Sequence, residues 1–234
     1  ETITIFDGFV IQNGNIDENG GGVYMRDYSV LRNCIVRNNT ARRGSAIYVY
    51  GCANIVNCLI TGNNSTFNSS NVSSVYLYEC NMFANNTVVN NTSVTGTGGI
   101  YVENANVKIY NNIIWGNKVQ GECNNIAGRV PDMRFTAIEG GYAGIGNIPL
   151  ASENTGAAGY YPCFTDPEND DYTLTENSIC INKGSSDLMT LPSMDLNNSE
   201  RVKQGSVDMG AYESVYNSKN NIVPDNNNII YVAT

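Results

Sequence analysis

The chain has 234 residues, enough for one large all-β domain or two small ones, and its 41% hydrophobic residues can fill a sizeable core. A formal charge of −9, from 13 Lys and Arg against 22 Asp and Glu, argues against an electrostatic grip on nucleic acid or anionic lipid. There is no histidine, which removes Ser-His-Asp and Cys-His hydrolase chemistry and ordinary zinc sites.

No secretory apolar region opens the chain and no apolar stretch is long enough to span a membrane, so it reads as a mature secreted protein or an excerpt of a longer one, without membrane insertion. Seven cysteines leave at least one thiol unpaired within the chain, and none forms Cys-x-x-Cys.

From the start, short runs rich in Val, Ile and Tyr alternate with Gly, Asn and Ser, the pattern of strands and turns, and no stretch keeps a helical period. Polar residues open successive units at Asp7, Asn33, Asn57, Asn86 and Asn111, with gaps of 26, 24, 29 and 25. Two places on lie Phe9, Ile35, Leu59, Val88 and Ile113, and one further Val10, Val36, Ile60, Val89 and Ile114, so both columns are apolar. Six places after the opener come Asn13, Asn39, Asn63 and Asn117, with Thr92 as the exception. A second motif runs Gly-Gly-Val-Tyr-Met, Ser-Ala-Ile-Tyr-Val, Ser-Ser-Val-Tyr-Leu and Gly-Gly-Ile-Tyr-Val, with tyrosines at 24, 48, 76 and 101.

A unit of about 25 residues carrying two or three short strands is the size of one coil of a parallel β-solenoid, in which equivalent residues of successive coils stack at roughly 4.8 Å. The aliphatic columns then form the core. Asn suits the corners, because it tolerates left-handed backbone and its amide bonds the Asn of the next coil. Cys34 above Cys58, and Cys52 above Cys80, read as small buried apolar residues in these ladders, with free thiols favoured over disulfides.

Downstream, "FTAIEGGYAGIGNI" (135–148), "DPENDDYTLTENSICINKG" (166–184), "DLNNSER" (195–201) and "VDMGAYE" (207–213) follow in order. With the coil motifs, they resemble the right-handed parallel β-helix repeat proteins of bacterial surfaces and secretions, of the choice-of-anchor, pectin-lyase-like kind, in which a Gly-Ala-Tyr-Glu segment closes the module. The resemblance covers most of residues 1–213. It implies an all-β, right-handed parallel β-helix (solenoid) with a less regular C-terminal capping region, outside the cell or on a bacterial surface. Coils are expected over 1–118 and an irregular continuation and cap over 119–215. Residues 216–234, ending "NNIIYVAT", read as a linker and a truncated strand that begins a next module.

Alternation places Tyr24, Tyr48, Tyr76 and Tyr101 outward beside Arg26, Tyr50, Tyr78 and Glu103. A flat sheet bearing Tyr24, Tyr48, Tyr50, Tyr76, Tyr78 and Tyr101 is a candidate binding surface for a polysaccharide or a host or cell-surface protein, although a tyrosine ladder also stabilises a sheet by itself. The C-terminal segment packing across this face is a third reading. The leading function is a non-catalytic scaffold or adhesin, and the alternative is a polysaccharide lyase or glycoside hydrolase. Hydrolysis needs paired carboxylates, yet Asp7, Asp17, Glu18, Asp27, Glu79 and Glu103 fall in different columns. Lyase chemistry needs a base, for which Arg32, Arg37, Arg42 and Arg43 are available. An enzymatic site is otherwise expected in 119–205, with Asp132, Glu139 or Asp195 converging. The acidic stretches 166–171 and 195–201 lack the EF-hand pattern and read as turns, so no catalytic residue, metal ligand or cofactor is assigned. Open coil ends allow end-to-end self-association.

Overall fold

In the computed structural model, residues 3–151, 161–203 and 205–216 are described. Most of the expected linker and terminal strand, residues 217–234, lies outside them.

About five turns of a parallel β-solenoid stack along one axis, and each turn contributes a strand to each of several sheets. Sheet 1 runs through Thr4–Asp7, Ser29–Arg32, Asn54–Val56, Met82–Ala84, Lys108–Tyr110 and Asp132–Arg134. Sheet 2 runs through Val10–Gln12, Ile35–Arg37, Leu59–Thr61, Thr87–Val89, Ile113–Trp115, Ala137–Glu139 and Ile148–Leu150. Sheet 3 is narrow: Thr40–Ala41, Asn64–Ser65, Thr92–Ser93 and Lys118–Val119 are parallel, and Glu122–Cys123 folds back antiparallel. Sheet 4 holds Val23–Arg26, Ile47–Tyr50, Val75–Leu77, Ile100–Val102 and Ile126–Gly128. Parallel stacking therefore continues beyond 118, to Ile148–Leu150.

Inside the tube, one residue in two from each strand meets its counterparts: Leu31, Ile55, Phe83 and Ile109 from sheet 1, Val36, Ile60, Val88 and Ile114 from sheet 2, and Ile47, Val75 and Ile100 from sheet 4. Strand periodicity of two requires this.

The register corrects two of the aligned units. Val10 pairs with Ile35 and Thr87 with Leu59, so the first and fourth units shift by one residue. The corner column is Gly8, Asn33, Asn57, Asn85 and Asn111, all left-handed with φ between 52° and 79°. Asp7 sits one place earlier, accepting from Asn33 Nδ2 at 2.7 Å and Arg32 Nε at 2.8 Å. With this shift the apparent exception at Thr92 disappears, because Asn91 takes its place in the ladder.

That ladder is buried rather than at a solvated corner. Asn39, Asn63, Asn91 and Asn117 each donate from Nδ2 to the next Oδ1, at 3.0, 2.9, 2.8 and 2.8 Å, the last onto Asn125. Each also donates to a carbonyl of the preceding coil, on Ile11, Val36, Ile60 and Val88 respectively. Polar groups in a core persist only when bonded in this way. A second internal column reads Cys34, Cys58, Asn86 and Asn112, in which Asn86 Oδ1 accepts from Cys58 N at 2.9 Å. All seven cysteines are free thiols. Cys52 departs from expectation: it is exposed, and Ala53 points inward in its place beside Cys80.

Residues 161–181 and 209–212 contribute the cover on the outer face of sheet 2. An antiparallel pair, Phe164–Asp166 with Asp171–Leu174, brings Tyr172 and Leu174 onto Leu59, Val89, Ile113 and Trp115, where Ile181, Met209, Ala211 and Tyr212 join them. The sheet is thus buried on both faces. Gly210 touches it most closely: its φ of 94° favours glycine, and a Cβ there would lie 2.8 Å from Ile113 Cδ1 and Thr87 Oγ1.

Candidate functional site

The outer face of sheet 4 carries two columns in register. Tyr24, Tyr48, Tyr76 and Tyr101 form the first, and Arg26, Tyr50, Tyr78 and Glu103 the second. Both point outward because Val23, Met25 and their counterparts fill the core. In the first column the ring centroids are 5.1, 4.7 and 5.5 Å apart and the planes lie within 23° of parallel. Each inner ring spends both faces on its neighbours, so Tyr48 and Tyr76 are only 9% and 5% exposed. The expectation of a uniformly exposed tyrosine face is corrected here: pointing outward does not mean exposed when identical rings stack. Burial, followed by the bond to Glu103, raises the pKa of the Tyr76 hydroxyl, which donates to Glu103 Oε2 at 2.9 Å.

The accessible part is the second column with the end of the first. Tyr50 and Tyr24 are 48% and 45% exposed. Tyr50 stacks on Tyr78 at 4.8 Å, and the Arg26 guanidinium carbon lies 5.5 Å from the Tyr24 ring centroid and 5.8 Å from that of Tyr50. Such a surface offers ring edges, hydroxyls and one cation. Among the described residues the C-terminal segment packs on sheet 2 instead.

A groove of about 350 Å³ runs between the outer face of sheet 1 and residues 189–192, with Val56, Met82 and Leu191 as apolar walls and Arg32, Asn54 and Asn81 as polar ones. Sequence reasoning missed it; the only available signal was the apolar run Leu188–Pro192 inside a polar stretch.

The carboxylates named for catalysis have separate partners. Asp132 bonds Tyr110 and Arg134 on sheet 1, while Glu139 accepts from Gly116 N at 2.7 Å and Asn125 Nδ2 at 3.2 Å. Asp195 belongs to a buried cluster with Asp208 and Glu213 around Arg201, whose side chain is wholly buried. Asp195 accepts from the backbone N of Asn197, Ser199 and Glu213, at 2.8, 2.7 and 2.7 Å. Burial, with repulsion from Asp208, pushes Glu213 up to about 8 against the attraction of Arg201. Glu213 Oε2 lies 3.6 Å from Arg201, which also donates to the Gly210 carbonyl. The cluster ties "DLNNSER" to "GAYE" in the interior, so it is a clasp and not a cleft. The 166–171 stretch is a turn around Pro167–Asn169, tied to the coils by Arg37 bonding Asp170 at 3.1 Å. Arg32 pairs with Asp7 and Arg42 with Asp17, and Arg42 and Arg43 lie over Phe67.

Among the described residues no helix is long and apolar enough to cross a membrane. Comparison with known protein families, with curated proteins and with solved structures finds no match.

Proposed function

We propose that this protein is a non-catalytic extracellular or cell-surface scaffold, an adhesin whose sheet 4 face binds carbohydrate. The observation that carries the reading is the strip Arg26, Tyr50 and Tyr78 standing beside a rigid, self-stacked tyrosine ladder. Rigid aromatic edges and hydroxyls on a regular sheet lose little entropy on binding, and sugar rings present both apolar and hydroxyl faces to match them.

The test replaces Tyr50 and Tyr78 with Ser and measures retention on a glycan array. Loss of glycan retention with the thermal transition shifted by only a few degrees is the expected result, because Tyr50 is about half exposed and Tyr78 is only partly buried. Tyr48→Ser serves as the contrast, since removing a ring 9% exposed costs about 3 kcal/mol. Unchanged retention of the Tyr50 and Tyr78 variant on every glycan would end the reading.

The lyase or hydrolase alternative draws only on the sheet 1 groove. Its lining supplies Arg32 and amides but no carboxylate pair, so its chemistry fits binding better than hydrolysis.

A further inference from the structure

We propose that the glycans taken by sheet 4 are acidic, with Arg26 receiving a carboxylate or sulfate on one sugar while Tyr24 and Tyr50 flank the ring that carries it. This rests on the reading of the face as a carbohydrate surface and adds the charge of the ligand.

Five of the other seven arginines are already paired with a carboxylate. Arg32, Arg37, Arg42 and Arg134 each lie within 4.0 Å of a carboxylate, on Asp7, Asp170, Asp17 and Asp132 respectively, and Arg201 is enclosed by Glu213. In a chain of net charge −9 that is the ordinary fate of a cation. Arg43 lies over Phe67, and Arg26 and Arg129 are exposed with no carboxylate within ion-pair distance among the described residues, although Asp27 follows Arg26 in the chain. Of these two only Arg26 is flanked by aromatic rings. Its guanidinium carbon instead sits 5.5 and 5.8 Å from two tyrosine rings. Contact with the two tyrosines, including a side-chain hydrogen bond to Tyr24, orients the planar fork and leaves its remaining N–H donors for an outside acceptor. Carboxylate and sulfate oxygens match that fork with two parallel charge-assisted bonds, which a neutral hydroxyl cannot equal.

Glu103 stands three strand spacings from Arg26 in the same column, roughly 14 Å away, where it accepts the Tyr76 hydroxyl, and Arg129 follows it in register on the next strand. The acidic sugar is assigned to the Arg26 end because only there do two tyrosine rings flank the cation.

Calorimetric titration with three oligosaccharides of equal length tests this: an oligogalacturonate, a sulfated galactan fragment and a neutral galactan fragment. At least one acidic oligomer is expected to bind tenfold or more tightly than the neutral one, with affinity falling as salt rises, and which one does so separates carboxylate from sulfate recognition. Arg26→Gln is expected to abolish the preference for the acidic oligomer over the neutral one, and Arg26→Lys to retain part of it. Equal affinity for acidic and neutral oligomers overturns the inference while the carbohydrate reading stands. Unchanged acidic affinity in Arg26→Gln overturns the assignment to Arg26, and no binding of any oligomer overturns the carbohydrate reading with it.

Discussion

Asparagine does two separate jobs in this chain, and the distinction decides what a substitution costs. At Asn38, φ is 54° and the side chain is exposed, so the requirement is conformational and glycine meets it. At Asn91 the requirement is bonding: its Nδ2 serves the carbonyls of Ile60 and Val89 and Oδ1 of Asn117, and its Oδ1 accepts both N and Nδ2 of Asn63. Asn91→Ala strips partners from several buried groups at once, and denaturant unfolding should show a loss of about 3 kcal/mol or more. Asn38→Gly should change stability by well under about 1 kcal/mol. Similar losses at the two sites would refute the division. The sequence pattern already held the clue: of the doubled asparagines at 90–91, only Asn91 completes the ladder, and choosing it would have set the register of the fourth unit. Counting gaps from the first polar residue could not, because coils differ in length at their turns.

Between elements, sheet 2 and its clasp are where the order of residues says more than their composition. Two adjacent apolar columns were legible in the repeat, and a strand with one solvated face needs only one. The second column, with Leu59 and Ile113, awaited the cover that Tyr172, Met209 and Ala211 supply. Which segment covers it was not legible, because irregular chain gives no period to follow. The clasp also sets a pH dependence. Glu213 titrates near 8 in the folded protein, raised first by burial from an ordinary value of 4.5, so the native state holds its proton more tightly than the unfolded chain. That contribution to stability is complete below 4.5 and is lost as pH rises through about 8; burial raises Asp208 in the same direction. Thermal unfolding of the wild type should therefore show a lower midpoint at pH 8.5 than at pH 5, a difference on the order of a few kcal/mol at most. Glu213→Gln should flatten the profile. A midpoint that climbs across this window would show that the carboxylate is held charged by Arg201 instead.

At the scale of the whole molecule the two ends of the solenoid are unlike. Strands Thr4–Asp7, Val10–Gln12 and Val23–Arg26 each pair on one side only among the described residues, and Ile5, Phe6, Phe9 and Val10 are about half exposed there. At the other end Glu122–Cys123 turns back antiparallel onto Lys118–Val119, and Tyr142 packs on the core beneath the loop that Asn147 fastens to Thr136. A folded-back strand and a tucked loop blunt an edge, whereas an unpaired apolar edge recruits another. Two open ends can therefore meet, whereas the far end, although Ile126–Gly128, Asp132–Arg134 and Ile148–Leu150 also pair on one side only among the described residues, offers an incoming edge fewer exposed apolar side chains than the first coil does. The association expected of this chain is a closed dimer through the first coil and not a growing filament. Analytical ultracentrifugation should show monomer converting to dimer as concentration rises, and the double variant Ile5→Lys, Val10→Lys should remain monomeric, because charge on an edge strand opposes pairing. Continued growth beyond dimer would mean that the second end is also open to stacking, and a wild type that stays monomeric at every concentration would show that the exposed edge does not pair with its own kind.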